Sequence, residues 1–461
     1  MSESIEQQFR AAAKLDPARD AVSDGHTTLT YGEVLAAADR GAHGLSRAGL
    51  KDGEPVVVPV SNMAADIAAF LAVWRAGGVV VPLHRAAPKA AVDALTTRLA
   101  NRFALDREVN TISRDPPPRC ALLTEAGTII FTSGSTGEPK GVVLSSARAA
   151  AKLAMIQTMT DWRTGENALI GLQLTFSFGQ WATWLTLLNG GCVHLRSRFD
   201  VVEFQALLQA GVVQRFPAVP TMLRHLLELG GNASFKGHIM LGGEPLLAGL
   251  GHRVRAAYPV AGLSDIYGLT ETGTSDFFVR PADYDRFAGT IGRAGDGIDW
   301  RIDVESQELI IHSPWRMLNY LDAPDLTAAA MHDGWFRTGD LAEEASSGTV
   351  RLIGRVTDLI NRSGNKISPL EVEAVFMRHE SVAAAMAVGI EDPARGEAVH
   401  LAIILRPGHQ TAPATLKAWA ADYLERFKLP DSIHLVDELP SGSTGKVDRR
   451  ALRQLIESGL N

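Results

Sequence analysis

The segment Pro55-Val56-Val57-Val58-Pro59-Val60 is apolar at every position, the pattern of a strand covered on both faces. A helical segment follows from about Met63 to Ala76, with apolar residues at helical spacing. Gly77-Gly78 closes it, and Val79-Val80-Val81-Pro82-Leu83 reads as the next strand. Strand, helix and strand of this kind predict a parallel sheet with helices packed on it, an α/β organisation. The same alternation recurs from Ala168 to Phe216. At 461 residues the chain is long enough for about three domains at ~150 residues each, and it can bury an ample core.

Composition removes several function classes. The chain carries 45 basic and 52 acidic residues, a formal net of -7, which argues against a general nucleic-acid or anionic-membrane binder. A local basic pocket for phosphates stays open. The two cysteines, Cys120 and Cys192, form no CxxC pair, and the 13 histidines show no ligand spacing, so neither a disulfide framework nor a structural zinc site is expected. The N-terminus MSESIEQQFR lacks the positive flank and apolar run of a signal peptide, and no run approaches the ~20 apolar residues of a spanning helix. The expectation is a cytoplasmic protein without a membrane span.

Two points of punctuation suggest boundaries. Asp115-Pro116-Pro117-Pro118-Arg119 is a stiff polar connector ahead of the strand Gly127-Thr128-Ile129-Ile130-Phe131. Gly354-Arg355-Val356-Thr357-Asp358 precedes a segment that alternates helices and strands again, enough for a compact domain of ~100 residues. The expected division is 1–356 and 357–461.

Chemistry concentrates in short loops. In Phe131-Thr132-Ser133-Gly134-Ser135-Thr136-Gly137-Glu138-Pro139-Lys140-Gly141 a strand runs into small residues that can turn backbone N–H groups inward as an anion nest. Hydroxyls add donors and Lys140 a point charge, although the spacing differs from the nucleotide P-loop. A second lysine-tipped loop, Pro440-Ser441-Gly442-Ser443-Thr444-Gly445-Lys446, lies near the C-terminal end. Together they suggest one polyphosphate gripped from two sides. Between them, Tyr267-Gly268-Leu269-Thr270-Glu271-Thr272-Gly273 offers a flat ring for a base, and a hydroxyl and a carboxylate of the hard-oxygen type that Mg²⁺ prefers. The competing interpretation is a helix start capped by Thr270. Asp340, ending Gly334-Trp335-Phe336-Arg337-Thr338-Gly339-Asp340, could accept both hydroxyls of a ribose.

This combination resembles the adenylate-forming superfamily of acyl-CoA synthetases, stand-alone adenylation domains and luciferases, over nearly the whole chain and in motif order. Leu29-Thr30-Tyr31-Gly32-Glu33-Val34 resembles the first family motif, and Trp74-Arg75-Ala76-Gly77-Gly78 through Val81-Pro82-Leu83 the second. The Thr132–Gly141 loop resembles the third, the most diagnostic, and Glu308-Leu309-Ile310-Ile311 through Tyr320-Leu321 the sixth. The resemblance implies a large N-terminal domain of α/β layers with a β-barrel-like subdomain, and a small mobile α+β C-terminal domain. It implies an AMP-forming acid–thiol ligase using ATP and Mg²⁺. Thr132, Ser133, Gly134, Ser135, Thr136, Gly137 and Lys140 would hold the β- and γ-phosphates. Thr270 and Glu271 would bind the α-phosphate and the metal, and Tyr267 would stack on adenine. Gly243, Glu244, Asp265 and Gly268 would complete the nucleotide site. Asp340, helped by Arg355, would bind the ribose, and Lys446 would bridge the incoming carboxylate and the α-phosphate. Asp358 would be the hinge about which the small domain swings, bringing Gly364 and Lys366 to the site for the thiol step.

The resemblance also places the acid pocket around Phe176, Ser177, Phe178, Gly179, Gly242, Gly268 and Thr274, where Gly242 and Gly243 would leave room. Amino-acid-activating relatives carry Asp at the position of Gly179. A buried α-ammonium without that partner is costly, so the expected substrate is an aryl or other apolar carboxylic acid. The chain departs from the family near Phe176, where many acyl-CoA ligases have His, and at Asp265, where relatives often have Asn or Gln. The acceptor is left open between CoA and the phosphopantetheine arm of an acyl or aryl carrier protein. Alternatives are a stand-alone adenylation enzyme for an amino or fatty acid, a nucleotide hydrolase or kinase, and a non-catalytic ATP- or AMP-binding homologue.

Overall fold

Two helices are buried almost all round, and they organise the molecule. In Ala64–Arg75 every residue from Asp66 to Val73 is buried, and in Ser177–Leu188 every residue from Gly179 to Leu187. A helix without a polar face has to lie between apolar layers. The first packs on a seven-stranded sheet, ordered Asn319–Tyr320, Lys140–Ser145, Ala126–Thr132, Val79–His84, Pro55–Val60, Phe103–Leu105, Thr111–Ser113. The second packs on a nine-stranded sheet whose centre runs Gly262–Tyr267, His238–Gly242, Arg215–Ala218, Ala168–Ile170, Val193–Leu195. The helices meet through Trp184, whose ring lies 5.0 Å from Trp74 and 5.9 Å from Phe70. These facts belong to a computed structural model that describes residues 3–99, 102–113, 123, 125–132, 139–232, 234–244, 246, 248–440 and 448–459.

The strand–helix–strand expectation holds. Pro55–Val60 and Val79–His84 pair in parallel, Pro55 opposite Val79 through Val60 opposite His84, with Ala64–Arg75 between them. On its outer face the nine-stranded sheet carries a second apolar cluster, packed under Val201–Gln209, Pro220–Glu228 and Ala248–Ala257. Leu29 to Val34, read above as a family motif, has a structural role. Thr30 and Glu33 form a reciprocal capping box for the helix Tyr31–Arg47, and the buried Tyr31 hydroxyl donates to the carbonyls of Leu187 and Gly191 at 2.7 and 2.8 Å.

A five-stranded antiparallel sheet follows, from Asp299–Ile302 to Thr349–Arg355. Beyond the short turn Val356–Asp358 a further five-stranded sheet closes over its own apolar cluster, drawn from Ile360 to Leu424. The large α/β body and the small C-terminal α+β unit are as expected. The Pro-rich connector, Cys120, residues 133–138 and residues 441–447 lie outside the described residues.

Candidate active site

The strand Ala126–Thr132 delivers the third-motif loop, and the chain returns along Lys140–Ser145, with Lys140 paired opposite Thr132. Of that loop, Thr132 and Lys140 are described; Ser133, Gly134, Ser135, Thr136 and Gly137 are not among the described residues. The Lys140 ammonium sits 5.5 Å from the centre of the Tyr320 ring, and the Tyr320 hydroxyl donates to Glu271 Oε1 at 3.0 Å. Glu271 is held from behind as well, its carbonyl accepting from the Met317 N–H at 2.7 Å. A cation, a phenol and a carboxylate are thus joined across three segments distant in sequence. Thr270 does not cap its turn; Leu269 occupies that position before the short 3₁₀ turn Thr270–Thr272. Its hydroxyl lies 3.1 Å from that of Ser177.

A second chain of contacts lies at the end of the strand Gly262–Tyr267. The Tyr267 hydroxyl donates to Asp340 Oδ2 at 2.7 Å, and Arg355 Nε approaches Asp340 Oδ1 at 2.8 Å. Strand pairing sets Asp340 opposite Arg355. Burial pushes the Asp340 carboxyl up, opposed chiefly by the Arg355 guanidinium, and burial with the Asp340 charge pushes the Tyr267 phenol far above its ordinary range. The carboxylate keeps lone pairs for further hydrogen bonds. The backbone between these groups is tight: a Cβ on Gly268 would lie 2.1 Å from the Ser275 nitrogen. Thr274 and Ser275 both take positive φ, +67° and +50°, the kind of local strain that concentrates at functional sites.

Asp265 is buried on the same strand. Burial pushes its carboxyl up to about 8, held back only by the Ile266 N–H. Gly243, at φ +87°, and Glu244 follow the neighbouring strand His238–Gly242.

The acid-pocket residues divide. Ser177 and Thr274 line a cavity of ≈ 70 Å³ beside Thr270. Phe178 stacks on Trp181, a wall of that cavity, at 5.3 Å between ring centres. Phe176 precedes the helix Ser177–Leu188 as its N-cap residue. Gly242 does not leave open room: a Cβ there would meet the Ile266 carbonyl at 2.9 Å and the Phe178 ring at 3.0 Å, so the aromatic ring already occupies that space. Gly179 has a stricter reason to be glycine. A Cβ would lie 2.6 Å from the Gln173 carbonyl oxygen and 2.9 Å from that of Leu172, so this backbone admits no carboxylate at that position.

In the small C-terminal unit, Gly364 and Lys366 are exposed on the hairpin joining Ile360–Arg362 to Asn365–Ile367. Asp358 lies 3.7 Å from Arg449 Nε, at the start of the last helix, while Arg449 also pairs with the buried Glu373. Lys446 itself lies outside the described residues.

Sequence reasoning gave no role to two features. Tyr320 was visible inside a motif, but its link to Glu271 needs the tertiary fold. Lys152 is the sole charge in the run Ala149–Ala154, and that was the available signal. It is buried, and its ammonium donates to Asp276 Oδ1 at 2.7 Å, while Asp276 Oδ2 accepts from Thr272. Among the described residues there is no cluster of three or more His, Cys, Asp or Glu side chains for a metal, and no helix long and apolar enough to cross a membrane. A lone Glu271 still suits Mg²⁺, which keeps several waters and takes one or two carboxylates plus phosphate oxygens.

The chain resembles known proteins over nearly its whole length. The chain is 28% identical to a feruloyl-CoA synthase from Amycolatopsis sp., over 96% of this chain and 97% of that one. It is 29% identical to the fatty acid–[acyl-carrier-protein] ligase ScoC of Streptomyces coeruleorubidus, over 96% and 94%. Its fold superposes on o-succinylbenzoate CoA synthetase of Bacillus subtilis, solved with an acyl-adenylate intermediate, with a TM-score of 0.84, 24% identity and 97% of each chain covered. The family pattern of the AMP-binding enzymes matches residues 9–125 and 96–321, and that of the AMP-binding enzyme C-terminal domain matches 371–446. The chain belongs to the AMP-binding enzyme family.

Proposed function

We propose that this protein is an ATP-dependent acid–thiol ligase. A carboxylate oxygen of the substrate attacks the α-phosphorus of ATP, the bond to the β-phosphate bridging oxygen breaks, and pyrophosphate leaves. A thiol sulfur of CoA, or of a carrier protein's phosphopantetheine, then attacks the acyl carbonyl carbon and AMP leaves. The observation that carries this reading is the convergence of Lys140, Tyr320 and Glu271 beside Thr270. A carboxylate attacking a polyanion meets charge repulsion, so fixed donors and cations supply the catalysis, and no general base is needed for an acid already ionised at neutral pH.

In this reading Glu271, oriented by the Tyr320 hydroxyl, would hold Mg²⁺, which when bound would supply charge neutralisation. Asp340 receives the ribose hydroxyls, with its position fixed by Tyr267 and Arg355. Asp265, held neutral by burial at pH 7, presents a proton donor where relatives carry an amide. The third-motif loop grips the outer phosphates, and Lys446 bridges the reacting carboxylate and the α-phosphate. Rotation of residues 357–461 about Asp358 then replaces Lys446 with the Gly364–Lys366 hairpin. The substrate is an aryl or other apolar acid: the closed backbone at Gly179 supports this by leaving no place for the carboxylate an α-ammonium needs. CoA and a carrier protein remain alternative acceptors, since relatives bearing either kind of name match this chain over most of its length.

The test is exchange of labelled pyrophosphate into ATP, dependent on added acid, across aryl, fatty and amino acids. Release of phosphate or ADP instead would make the protein a hydrolase or kinase, and ATP binding without exchange would make it a non-catalytic homologue. Adding CoA or carrier protein to the acid that works then decides the acceptor.

A further inference from the structure

The cavity beside Thr270 has a chemical character that the ligase reading does not use. Its lining includes Ser177, Gly273 and Thr274, and the Ser177 hydroxyl lies 3.1 Å from that of Thr270, so the cavity reaches the neighbourhood of Thr270. Its walls include the rings of Trp74, Trp181, Trp184 and Trp315, and Lys152 reaches into it. At ≈ 70 Å³ it is roughly half the ~150 Å³ apolar cavity that holds a benzene, so it suits the far end of an acyl group rather than a whole one.

Two side chains in this lining carry N–H groups that lack acceptors. The Lys152 side chain is 2% exposed and makes one hydrogen bond, to Asp276, with the Trp315 ring 5.0 Å away. An ammonium has three donors, so two N–H groups have no protein acceptor among the described residues. The buried Trp184 Nε1–H has none either. Unmet buried donors are costly, and what they lack is an oxygen acceptor. Asp276, 0% exposed and in contact with the ammonium, already neutralises it. A second carboxylate placed there would face Asp276 at short range in a medium of low polarity.

We propose that this cavity reads the distal end of the substrate, and that Lys152 and Trp184 select an aromatic acid bearing a neutral oxygen acceptor, a ring hydroxyl or ether, at that end. The inference rests on the ligase reading and deepens it. The distal end of the acid enters between the indoles, its own carboxylate points back toward Thr270, and the distal oxygen accepts from the ammonium and the indole N–H. Both residues are specificity determinants, remote from the reacting atoms.

Two measurements test this: pyrophosphate exchange, and quenching of tryptophan fluorescence by acid alone. The probes are benzoate, 4-hydroxybenzoate, cinnamate, 4-hydroxycinnamate, terephthalate and octanoate. The hydroxy acids are expected to exceed their unsubstituted parents by about 10- to 100-fold in kcat/KM and to quench at lower concentration, with terephthalate poorer than both. Lys152→Met alone strands Asp276 and can unfold the chain, so the variants are Lys152→Met/Asp276→Asn, which removes the pair together, and Trp184→Phe. In the double variant the hydroxyl preference is expected to fall to within about twofold of unity, and in Trp184→Phe by several-fold, with KM for ATP unmoved. A merely structural defect would lower all acids alike. An unchanged preference in the double variant, or equal quenching by hydroxylated and bare acids, overturns the inference, because waters then satisfy the donors. Selective quenching without exchange overturns the ligase reading and keeps the pocket; exchange without selectivity does the reverse. If neither signal appears with any probe, both are wrong.

Discussion

Asp276 and Asp340 are both buried carboxylates paired with a cation, yet their surroundings differ. Asp276 faces Lys152 with side-chain exposures of 0% and 2%, whereas Asp340 faces Arg355 with exposures of 10% and 49%. Asp276 is sealed behind indoles. Asp340 is joined to solvent through its half-exposed partner. Asp265 makes a third case, a buried carboxyl with no basic partner among the described residues. Burial there pushes the group toward neutrality, where a partner would have held it charged. One side-chain chemistry therefore occurs in three settings: paired and dry, paired beside solvent, and buried without a cation.

The largest effect expected from this contrast is on stability. Asp276→Ala leaves the Lys152 ammonium buried and unpaired and is expected to cost about 3–5 kcal/mol, read by denaturant unfolding. An effect below that of Arg355→Ala would erase the difference between the two pairs. Asp265 comes next. Its folded pKa is raised from 3.8 to about 8, so the folded state holds the proton more tightly and stability falls as pH rises through that window. The slope is at most about 1.4 kcal/mol per pH unit. Asp265→Asn is expected to flatten the profile, and parallel melting-temperature curves for variant and parent would show the group is not neutral in the fold.

Tyr320→Phe removes the hydrogen bond that orients Glu271. It is expected to lower exchange about tenfold and to raise the Mg²⁺ concentration needed for half-maximal rate. An unaltered Mg²⁺ dependence would show that Glu271 needs no such support. The smallest effect is that of Arg355→Ala on the fold, about 1 kcal/mol because the cation is half exposed, accompanied by a higher KM for ATP. A weakened fold with an unchanged KM would reverse the roles assigned to the two pairs.

Much of this was legible before the fold was known. The valine-rich strands and the helix between them follow from apolar runs with one way to be buried, and the order of the loops was sufficient to suggest the family. The local motifs were less informative about their partners. Thr270 resembled a cap and is not one, and Gly242 suggested open space that Phe178 fills. Tyr320 carried no sign of its hydrogen bond to Glu271, 49 residues away. Such contacts depend on where two segments cross, and a period of two or 3.6 residues carries no information about that.

By itself the sequence determined the layers and the two-part division, because apolar periodicity and glycine-rich turns act over a few residues, and the order of its motifs, through their resemblance to a family, indicated the chemical class. The tertiary structure alone decided which buried carboxyl has a half-exposed cation beside it, which has none and which is sealed beside a lysine. Those outcomes depend on desolvation and on charges within a few ångströms, brought together from strands and helices far apart in the chain.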